Sequence, residues 1–519
     1  MATRARKAPP LRIVLDASQS APLHKQIGEQ IRRAILERRL AAGTKLPSSR
    51  LMAMELNCAR GTVLTAIDHL IAEGYVVTRA GSGISVATNL ADEMLIPPGV
   101  VGQPDGVVAG EPILPKRTRA LLSHKPVMQS PAGAPLIAFP IGQPDRLAFP
   151  FALWAKLLAQ EWRKPAWQVA GVPHPFGHPG LREAIASYLA AARGFACEPE
   201  AVVVTSGVRQ SVSLFARVVL EAGDAVWIEE PGYPGMDEAL AAAEIRAVPV
   251  PIDDAGFSPE AALALAPNAH LAVVAPSHQF PLGTVLTLQR RLALLNWAKR
   301  TKSWIIEDDF DGEYRYSGRP LAPLRALDQT GRVAYLGSFS KLLFPALRLS
   351  FLVLPASLIQ ITERIMEAIS TPASLLGQGA LARFIADDHL AAHLRRTRLL
   401  YASRQQALIA SAERHLTGLL DIAPDPGGMH LIGRPHRDLE PAFNDQATTA
   451  AAAAASVRVS PLSGCYRGSP QTHGLLLGYA GTPEEDIDPA IMRLQHVLGG
   501  HRQESQPGPM QRCSATQSR

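Results

Sequence analysis

The sequence predicts an α/β protein in which a small N-terminal winged helix-turn-helix domain is joined by a linker to a large domain with a mainly parallel sheet. In residues 21–88, three helical patterns are followed by two short strand-like runs, the order typical of a winged helix. From residue 136 to about residue 499, apolar strand-like runs alternate with helical ones, which indicates a parallel sheet with helices on both faces. A chain of 519 residues has room for both domains.

Each N-terminal helix is marked by apolar spacing and by residues that start or stop a helix. Apolar residues recur every three to four positions over 23–40, which predicts an amphipathic first helix. Ser48 is placed to cap a second helix over 50–57. A third helix over 60–73 is followed by Gly74, a residue type that commonly ends helices. Two strand-like runs then predict the hairpin of the wing, at residues 75–79 and 84–87.

The large domain, residues 136–499, is predicted from its strand-like runs and the helical runs between them. The predicted strands lie at 201–205, 225–229, 271–275, 303–307, 333–336 and 349–354. Three segments without a sustained period flank or separate the domains: a flexible arm over 1–20, a Pro- and Gly-rich linker over 89–135, and a disordered polar tail over 500–519.

The basic surplus is confined to the N-terminal domain. Residues 1–88 contain 13 Lys and Arg against 6 Asp and Glu, whereas the remainder contains 39 against 40. A local surplus of this kind favours binding of a polyanion such as DNA. A basic balance that arose by chance is the alternative.

Cysteine usage and hydropathy exclude several other classes of protein. The four cysteines lie far apart and form no C-x-x-C pair, which argues against a zinc site or a disulfide framework and fits a reducing cytoplasm. We therefore expect no metal site. The basic N-terminus lacks the apolar run of a signal peptide, and no run approaches the ~20 residues of a membrane span.

The motifs of residues 46–87 resemble the GntR-type winged helix. In order they read Leu-Pro-Ser-x-Arg, Arg-x-Thr-Val, Glu-Gly-Tyr and a Gly-x-Gly wing. The resemblance implies that the start of the third helix enters the major groove, while the wing approaches the duplex backbone. The candidate DNA-binding residues are Ser48, Arg50, Arg60, Gly61, Thr62, Arg79, Gly81 and Gly83. The alternative is that the arginines are ordinary solvated charges.

A lysine that closes a Gly-Ser-Phe-Ser-Lys turn is the main candidate for a cofactor-binding residue in the large domain. Lys341 is preceded by Ser338 and Ser340 and followed by Arg348. This set suits a cofactor that is both an aldehyde and a phosphate. The lysine amine condenses with the aldehyde to a Schiff base, and the hydroxyls and guanidinium bind the phosphate.

A second phosphate-binding element is the predicted strand-to-helix junction at residues 206–209. Backbone N–H groups and the helix dipole favour a phosphate at such a junction. A purely structural turn is the alternative for this common motif. The four candidate residues are Ser206, Gly207, Val208 and Arg209.

Two further residues are candidates for contacts with a cofactor ring. Tyr233, in a Glu-Pro-Gly-Tyr-Pro turn, is placed to stack on it, with a core tyrosine as the alternative. Asp308 ends an apolar strand, where open α/β sheets bind ligands, and a carboxylate there keeps a pyridine nitrogen protonated. Asp309 is expected to point the other way and to be a turn residue.

These motifs, together with residues 174–194, resemble fold-type I aminotransferases, which bind pyridoxal 5′-phosphate. Four positions depart from that family, one of which is His174 in place of the usual aspartate. Phe280 stands in place of an asparagine, and His278 is the candidate replacement, with a structural hydrogen bond as the alternative. Phe310 replaces a tyrosine near the ring. Leu476 replaces the arginine that binds the substrate carboxylate, unless a neighbouring Arg458 or Arg467 takes that role.

The complete order of motifs resembles the MocR subgroup of GntR regulators across nearly the whole chain. The resemblance implies a cytoplasmic, head-to-tail homodimer that binds operator DNA and carries pyridoxal 5′-phosphate on Lys341. The preferred function is a transcriptional regulator that senses the cofactor or an amine or amino acid reacting with it. Two alternatives stay open: an active aminotransferase with an appended DNA-binding domain, and a DNA-binding protein whose large domain is only a dimerisation scaffold.

Overall fold

The computed structural model divides the chain into two compact units, residues 1–113 and 114–519. Within them the structure describes residues 13–16, 21–79, 83–88, 113–123, 138–165, 171, 174–318, 322–369, 372–440 and 443–504. Each unit is described by itself below.

The first unit is a winged helix, as the sequence predicts. Its helices are α1 (Leu23–Leu36), α2 (Ser49–Glu55) and α3 (Arg60–Ala72). The Ser48 side chain accepts a hydrogen bond from the backbone N–H of Leu51 and so caps α2. The apolar faces of all three helices meet in one core that includes Ile27, Ile31, Met52, Val63, Ile67 and Leu70.

The wing is a two-stranded antiparallel hairpin. Its strands are β1 (Val76–Arg79) and β2 (Gly83–Val86). Lys45 adds an isolated antiparallel bridge to Ser85, so the segment before α2 runs along the outer edge of the hairpin. Gly83 adopts φ of 86°, a conformation that L side chains rarely adopt.

Residues 13–16, predicted to belong to a flexible arm, are held against α1. Gln30 and Gln26 each both accept from and donate to the backbone of this segment, at Val14 and Asp16. Ile13 and Leu15 pack on the helical core. These apolar side chains and the two glutamines explain why this part of the arm is ordered.

The second unit contains an eight-stranded sheet in the order β3-β10-β9-β8-β7-β4-β5-β6. Strands β4, β5, β7, β8 and β9 are parallel, whereas β3, β10 and β6 pair antiparallel to their neighbours. The strands are β3 (Val202–Thr205), β4 (Ala225–Glu230), β5 (Arg246–Asp253), β6 (Gly256–Phe257), β7 (Leu271–Val274), β8 (Trp304–Asp309), β9 (Val333–Ser338) and β10 (Ser350–Val353). All six predicted strands are present.

Helices cover this sheet. Up to the end of the sheet they are α4 (Lys116–Ser123), α5 (Phe151–Trp162), α6 (Pro179–Arg193), α7 (Val208–Val219), α8 (Gly235–Ala242), α9 (Pro259–Leu265), α10 (Leu288–Thr301), α11 (Leu324–Leu327) and α12 (Phe339–Leu342). Helix α4 lies within the segment predicted to be a linker and packs against α8.

A four-stranded antiparallel sheet follows, in the order β11-β12-β14-β13. Its strands are β11 (Leu420–Ile422), β12 (His430–Pro435), β13 (Ser460–Pro461) and β14 (Leu475–Gly478). The helices that follow the large sheet along the chain are α13 (Ile359–Ile369), α14 (Gln378–Ala386), α15 (His389–His415), α16 (Asp445–Ala454) and α17 (Glu484–Glu504). Within the described residues, no helix combines the length and apolar character needed to cross a membrane.

Candidate DNA-binding surface and cofactor cavity

The start of α3 and the adjoining face of α2 are exposed in the first unit. Arg50 and Arg60 are exposed, and the Arg60 guanidinium donates to the Ser49 hydroxyl at 3.3 Å. Gly61 has nothing within 4 Å of an added Cβ, so its backbone is open to close approach. Thr62 is half-buried beside it. These residues form the surface that the sequence predicts to enter a DNA groove.

Three described cations of the DNA-binding surface have no carboxylate partner. Among the described residues, Lys45, Arg50 and Arg60 form no ion pair, whereas Arg32 pairs with both Glu29 and Glu73. Unpaired exposed cations can release counterions when they meet phosphates. Lys45, which the sequence did not single out, joins this set because of its bridge to the wing.

The other candidates of this surface have less support from side-chain geometry. Ser48 uses its hydroxyl to cap α2. The backbone of Arg79 pairs with Gly83 at the tip of the hairpin. Gly81 lies outside the described residues, and the Arg79 side chain is not described either.

A cavity of about 280 Å³ opens at the carboxyl ends of the parallel strands β4, β7 and β8. This is the edge where open α/β sheets bind ligands, because loops and helix starts converge there. Its lining is largely apolar and includes Ile141, Val274, Phe280, Phe310, Met429 and Leu476. Lys341, Asp308, Tyr233, Val208 and Arg209 also line it, so the structure brings these predicted residues together.

Lys341 lies on α12, directly after β9, and its amine points into the cavity. Its Nζ donates to the backbone oxygen of Gly142 at 3.0 Å. A Cβ on Gly142 would overlap this Nζ, so glycine leaves the space that the amine occupies. Burial lowers the pKa of Lys341, and the carboxylates of Asp311 and Asp308 offset part of that effect. A neutral amine is the nucleophilic form that condenses with an aldehyde.

Asp308 lies one residue before the end of β8 and has a buried carboxylate whose Oδ1 has no hydrogen-bond partner among the described residues. Burial raises the pKa of Asp308 to about 7, with Asp311 adding to the rise and Lys341 opposing it. A buried polar atom without a partner costs free energy unless a ligand supplies one. A protonated pyridine nitrogen is such a donor, so Asp308 fits the cofactor that the sequence predicts.

Asp309 has a structural role. It is the last residue of β8, and its buried carboxylate pairs with Arg193 and accepts from the Tyr335 hydroxyl at 2.5 Å. It points away from Asp308, as predicted, but the expectation that it is a turn residue is wrong because the strand extends through it.

The junction at residues 206–209 has the geometry of a phosphate-binding helix start. Gly207, with φ of 147°, is the N-cap of α7, and no side chain caps this end. The Ser206 backbone N–H donates to the Gln210 side chain at 2.5 Å. Val208 and Arg209 face the cavity, and Arg209 pairs with Glu238.

The remaining phosphate candidates do not line the cavity. Ser338 is buried at the end of β9, and its hydroxyl accepts a hydrogen bond from the Ser350 hydroxyl at 3.1 Å. Ser340 is half-buried on α12. Arg348 is exposed, with φ of 50°. Their part in binding phosphate therefore stays a prediction.

His278 does not face the cavity, which corrects its interpretation as a replacement for the missing asparagine. Its ring lies between Asp311, 3.0 Å from Nδ1, and Asp425, 3.3 Å from Nε2. Burial lowers the pKa of His278, but the two carboxylates outweigh burial and raise it to about 10. The structural alternative is therefore the better description of this residue.

The sequence did not single out Glu229, a buried carboxylate of the cavity wall. It accepts from the Ala275 backbone N–H at 3.0 Å and from Gln279 at 3.3 Å. Burial raises its pKa to about 8, although both hydrogen bonds oppose the rise. Glu229 lies one residue before the end of β4. Its position at the carboxyl edge of the sheet was the only feature of the sequence that could have indicated a role in the site.

Leu476 and Arg467 both line the cavity. Leu476 on β14 is 1% exposed and stands where an aminotransferase is expected to carry its carboxylate-binding arginine. Arg467 is already engaged, since it lies 3.1 Å from Glu230 and 2.5 Å from Asp237 and donates to the Glu229 carbonyl. Arg458 is half-buried and does not line the cavity.

Comparison with protein families agrees with the division of the chain into a winged helix and a large second unit. Residues 23–86 match the gntR family of bacterial regulatory proteins. Residues 136–494 match the aminotransferase class I and II family.

Relatives with both parts cover nearly the whole chain. The chain is 41% identical to the probable rhizopine catabolism regulatory protein MocR of Rhizobium meliloti, over 93% of this chain and 94% of that protein. It is 31% identical to the pyridoxine biosynthesis transcriptional regulator PdxR of Corynebacterium glutamicum, over 92% of this chain and 96% of that protein.

Solved structures share the fold of the large unit. A kynurenine aminotransferase of Pyrococcus horikoshii superposes with a TM-score of 0.66 at 24% identity, over 76% of this chain and 98% of that one. The α-aminoadipate aminotransferase LysN of Thermus thermophilus gives a TM-score of 0.64 at 24% identity, over 76% and 96%.

Proposed function

The chain belongs to the GntR family of transcriptional regulators, in the MocR-like group that carries an aminotransferase class I and II domain, and from this premise we propose that it senses pyridoxal 5′-phosphate or an amine reacting with it. The observation that carries the proposal is the pairing of Lys341 and Asp308 in one cavity, in a chain that also presents unpaired cations on a winged helix. The relatives named as regulators of rhizopine catabolism and pyridoxine biosynthesis support the regulatory part.

Each cavity residue has a distinct part in holding the cofactor. When bound, the cofactor supplies an aldehyde and an electron-withdrawing pyridine ring. Lys341 presents a desolvated amine toward the aldehyde end, with Gly142 fixing its direction. Asp308 would accept a hydrogen bond from the protonated ring nitrogen, and Tyr233 lies on the wall where an aromatic face can stack. The α7 N-terminus offers backbone donors to the phosphate.

Sensing requires that the loaded and empty forms differ in their affinity for DNA. A ligand shifts an equilibrium between two conformations only by its difference in affinity for them. We propose that occupancy of the cavity biases the arrangement in which the winged helices meet operator DNA.

Two finer features belong to the same proposal. We propose a head-to-tail homodimer, since winged helix-turn-helix proteins bind paired half-sites as dimers. We also propose that it acts in the cytoplasm, where its DNA target lies. Light scattering of the purified protein should give the mass of two chains, and a monomer at micromolar concentration would exclude the dimer.

An active aminotransferase is the second candidate, and the cavity gives a specific reason to rank it lower. Such an enzyme needs a free bidentate cation to orient the substrate carboxylate. Leu476 is apolar and Arg467 is paired with two carboxylates. Release of keto acid from a panel of amino acids at turnover rates above ~1 per second, typical of enzymes, would favour this candidate.

The proposed function is tested by measuring cofactor uptake and DNA binding together. The purified protein is incubated with pyridoxal 5′-phosphate, and its visible absorption is recorded after removal of free cofactor. Binding to the DNA upstream of its own and neighbouring genes is followed by fluorescence anisotropy. We expect a protein-bound visible band and specific binding. A colourless protein that takes up no cofactor would refute the proposal.

A further inference from the structure

Two of the three cations that line the cavity form ion pairs with carboxylates of the same unit. Arg209 pairs with Glu238, and Arg467 pairs with Glu230 and Asp237. Lys341 is the third lining cation, and it is the amine reserved for the cofactor aldehyde. Among the described residues, the lining therefore offers no guanidinium or ammonium without an assigned partner.

The wall away from the cation pairs is apolar. It is formed by side chains from the segment before α5 and from the small sheet: Ile141, Met429, Pro461 and Leu476. Leu476 is 1% exposed, and Ile141, Leu462, Cys465 and Leu476 form one buried cluster. A charged group placed against this wall would lose its hydration without gaining a partner.

The other ionisable groups of the lining are three carboxyl groups together with Tyr233, Cys465 and His430. Burial lowers the pKa of His430, and its Nε2 lies 2.9 Å from the Pro281 carbonyl oxygen, so this imidazole does not supply a free cation. Glu229, Glu238 and Asp308 line the cavity, and Glu229 is fully committed to Ala275 and Gln279. A ligand carboxylate would meet these groups as like charges or as groups that must stay protonated. A ligand that is cationic in water and loses its charge on reacting meets no such penalty.

We propose that the effector that reacts at Lys341 is a primary amine without an α-carboxylate and with a largely apolar body. This inference rests on the proposed function, because it assumes that the cavity holds the aldehyde cofactor. It deepens that function by assigning the class of effector. The protein selects amines over the corresponding α-amino acids because the described lining has no unpaired cation that could bind a carboxylate.

Matched pairs of ligands test the selection on the unmodified, cofactor-loaded full chain. The pairs are 3-methylbutylamine with leucine and 2-phenylethylamine with phenylalanine, which differ only in the carboxylate. The readouts are the change in the visible band and the affinity for operator DNA. We expect each amine to act at a concentration at least ~10-fold lower than its amino acid, a difference of about 1.4 kcal/mol.

Leucinamide separates charge from size as the basis of selection. It keeps the bulk of the α-substituent but lacks its negative charge, so we expect it to act at concentrations close to those of 3-methylbutylamine. If leucinamide is excluded as strongly as leucine, the exclusion is steric and the argument from charge fails. If leucine acts at a lower concentration than its amine, or if none of these compounds changes the band, the inference is overturned.

The variant Leu476→Arg supplies the cation that the wall lacks. We expect it to narrow or reverse the preference, with leucine gaining at least ~10-fold in apparent affinity, while Leu476→Met preserves the preference for the amine. If the Leu476→Arg variant does not fold, the amine and amino-acid pairs measured on the unmodified protein still test the preference for amines. Absence of any cofactor band overturns the proposed function itself, whereas a cofactor band with a preference for amino acids overturns only this inference.

Discussion

The winged-helix surface and the cavity wall of the large unit use arginine in opposite ways. On the first, Arg50 and Arg60 are exposed and form no ion pair among the described residues. In the second, Arg209 and Arg467 are each held by carboxylates. Exposed unpaired cations attract a polyanion, whereas the charges of Arg209, which is also exposed, and of Arg467 are offset by their carboxylate partners. The same residue type therefore marks a binding surface in one unit and a structural wall in the other.

The comparison supports the proposal that the chain is a sensor. A catalytic cavity for amino acids needs its own unpaired cation, and the described lining offers none beyond Lys341. The unpaired positive charge is placed on the winged helix instead. Each of the following substitutions tests this difference between the two regions.

Lys341→Ala should abolish the protein-bound visible band. The alanine has no amine to condense with the aldehyde, so any cofactor that still enters is held only by non-covalent contacts. Absorption after gel filtration measures the loss. Lys302→Ala, at the exposed residue that directly follows α10, is the control and should keep the band. A full band in Lys341→Ala would show that another amine carries the cofactor.

Arg60→Ala should weaken operator binding by ~10–100-fold, the range of ~1–3 kcal/mol expected for a lost base-edge contact, and should leave the cofactor band unchanged. Anisotropy at several salt concentrations measures both the affinity and its salt slope. Arg33→Ala is the matched control, because Arg33 is equally exposed but pairs with Glu37 on α1. Equal losses in the two variants would indicate a diffuse charge effect in place of a defined surface.

Asp308→Asn should stabilise the cofactor-free protein at pH 8 by a few kcal/mol, since each unit of pKa shift corresponds to ~1.4 kcal/mol. The folded pKa of Asp308 is raised from 3.8 to about 7 by burial, so the folded state binds more protons than the unfolded state between these values. The titration of Asp308 therefore lowers the free energy of unfolding as the pH rises from about 4 to 7. Asparagine does not titrate, so the variant lacks this decrease. Urea unfolding at pH 5 and pH 8 checks the sign. An unchanged pH dependence would show that Asp308 is not buried as described.

Gly61→Ala should raise the free energy of unfolding by up to ~1 kcal/mol, because alanine favours a helix over glycine. Nothing lies within 4 Å of the added Cβ, so no clash offsets the gain. The same substitution should lower operator affinity if the backbone at Gly61 approaches DNA closely. Thermal unfolding and anisotropy on one sample separate the two effects. Improved stability with unchanged affinity would remove Gly61 from the DNA-binding surface.

Local patterns predicted the fold closely. All six predicted strands and the three N-terminal helices are present because their periods, caps and terminal glycines agree with tertiary packing. The main misses lie where long-range contacts decide. Gln26 and Gln30 order residues 13–16, and α8 gives α4 a surface to pack on, neither of which a local pattern reveals.

The sequence was sufficient to predict those site residues that lie at or just after the carboxyl end of a strand. Lys341 and Asp308 meet in the cavity because Asp308 lies near the end of β8 and Lys341 follows the adjacent parallel strand β9. His278 was misassigned because its partners, Asp311 and Asp425, come from distant segments, and Asp425 lies 147 positions away in the sequence. Whether an arginine is free or paired depends on the same kind of distant contact, so the state of Arg467 required the structure.

The central claim is that cavity occupancy controls DNA binding. The most direct measurement is the affinity for operator DNA with and without pyridoxal 5′-phosphate, for the unmodified protein and for Lys341→Ala. We expect a change of ~5–150-fold in the unmodified protein, the usual range of coupling between two sites, and a much smaller change in the variant. Equal affinities with and without cofactor, in a protein shown by its visible band to be loaded, would contradict the account.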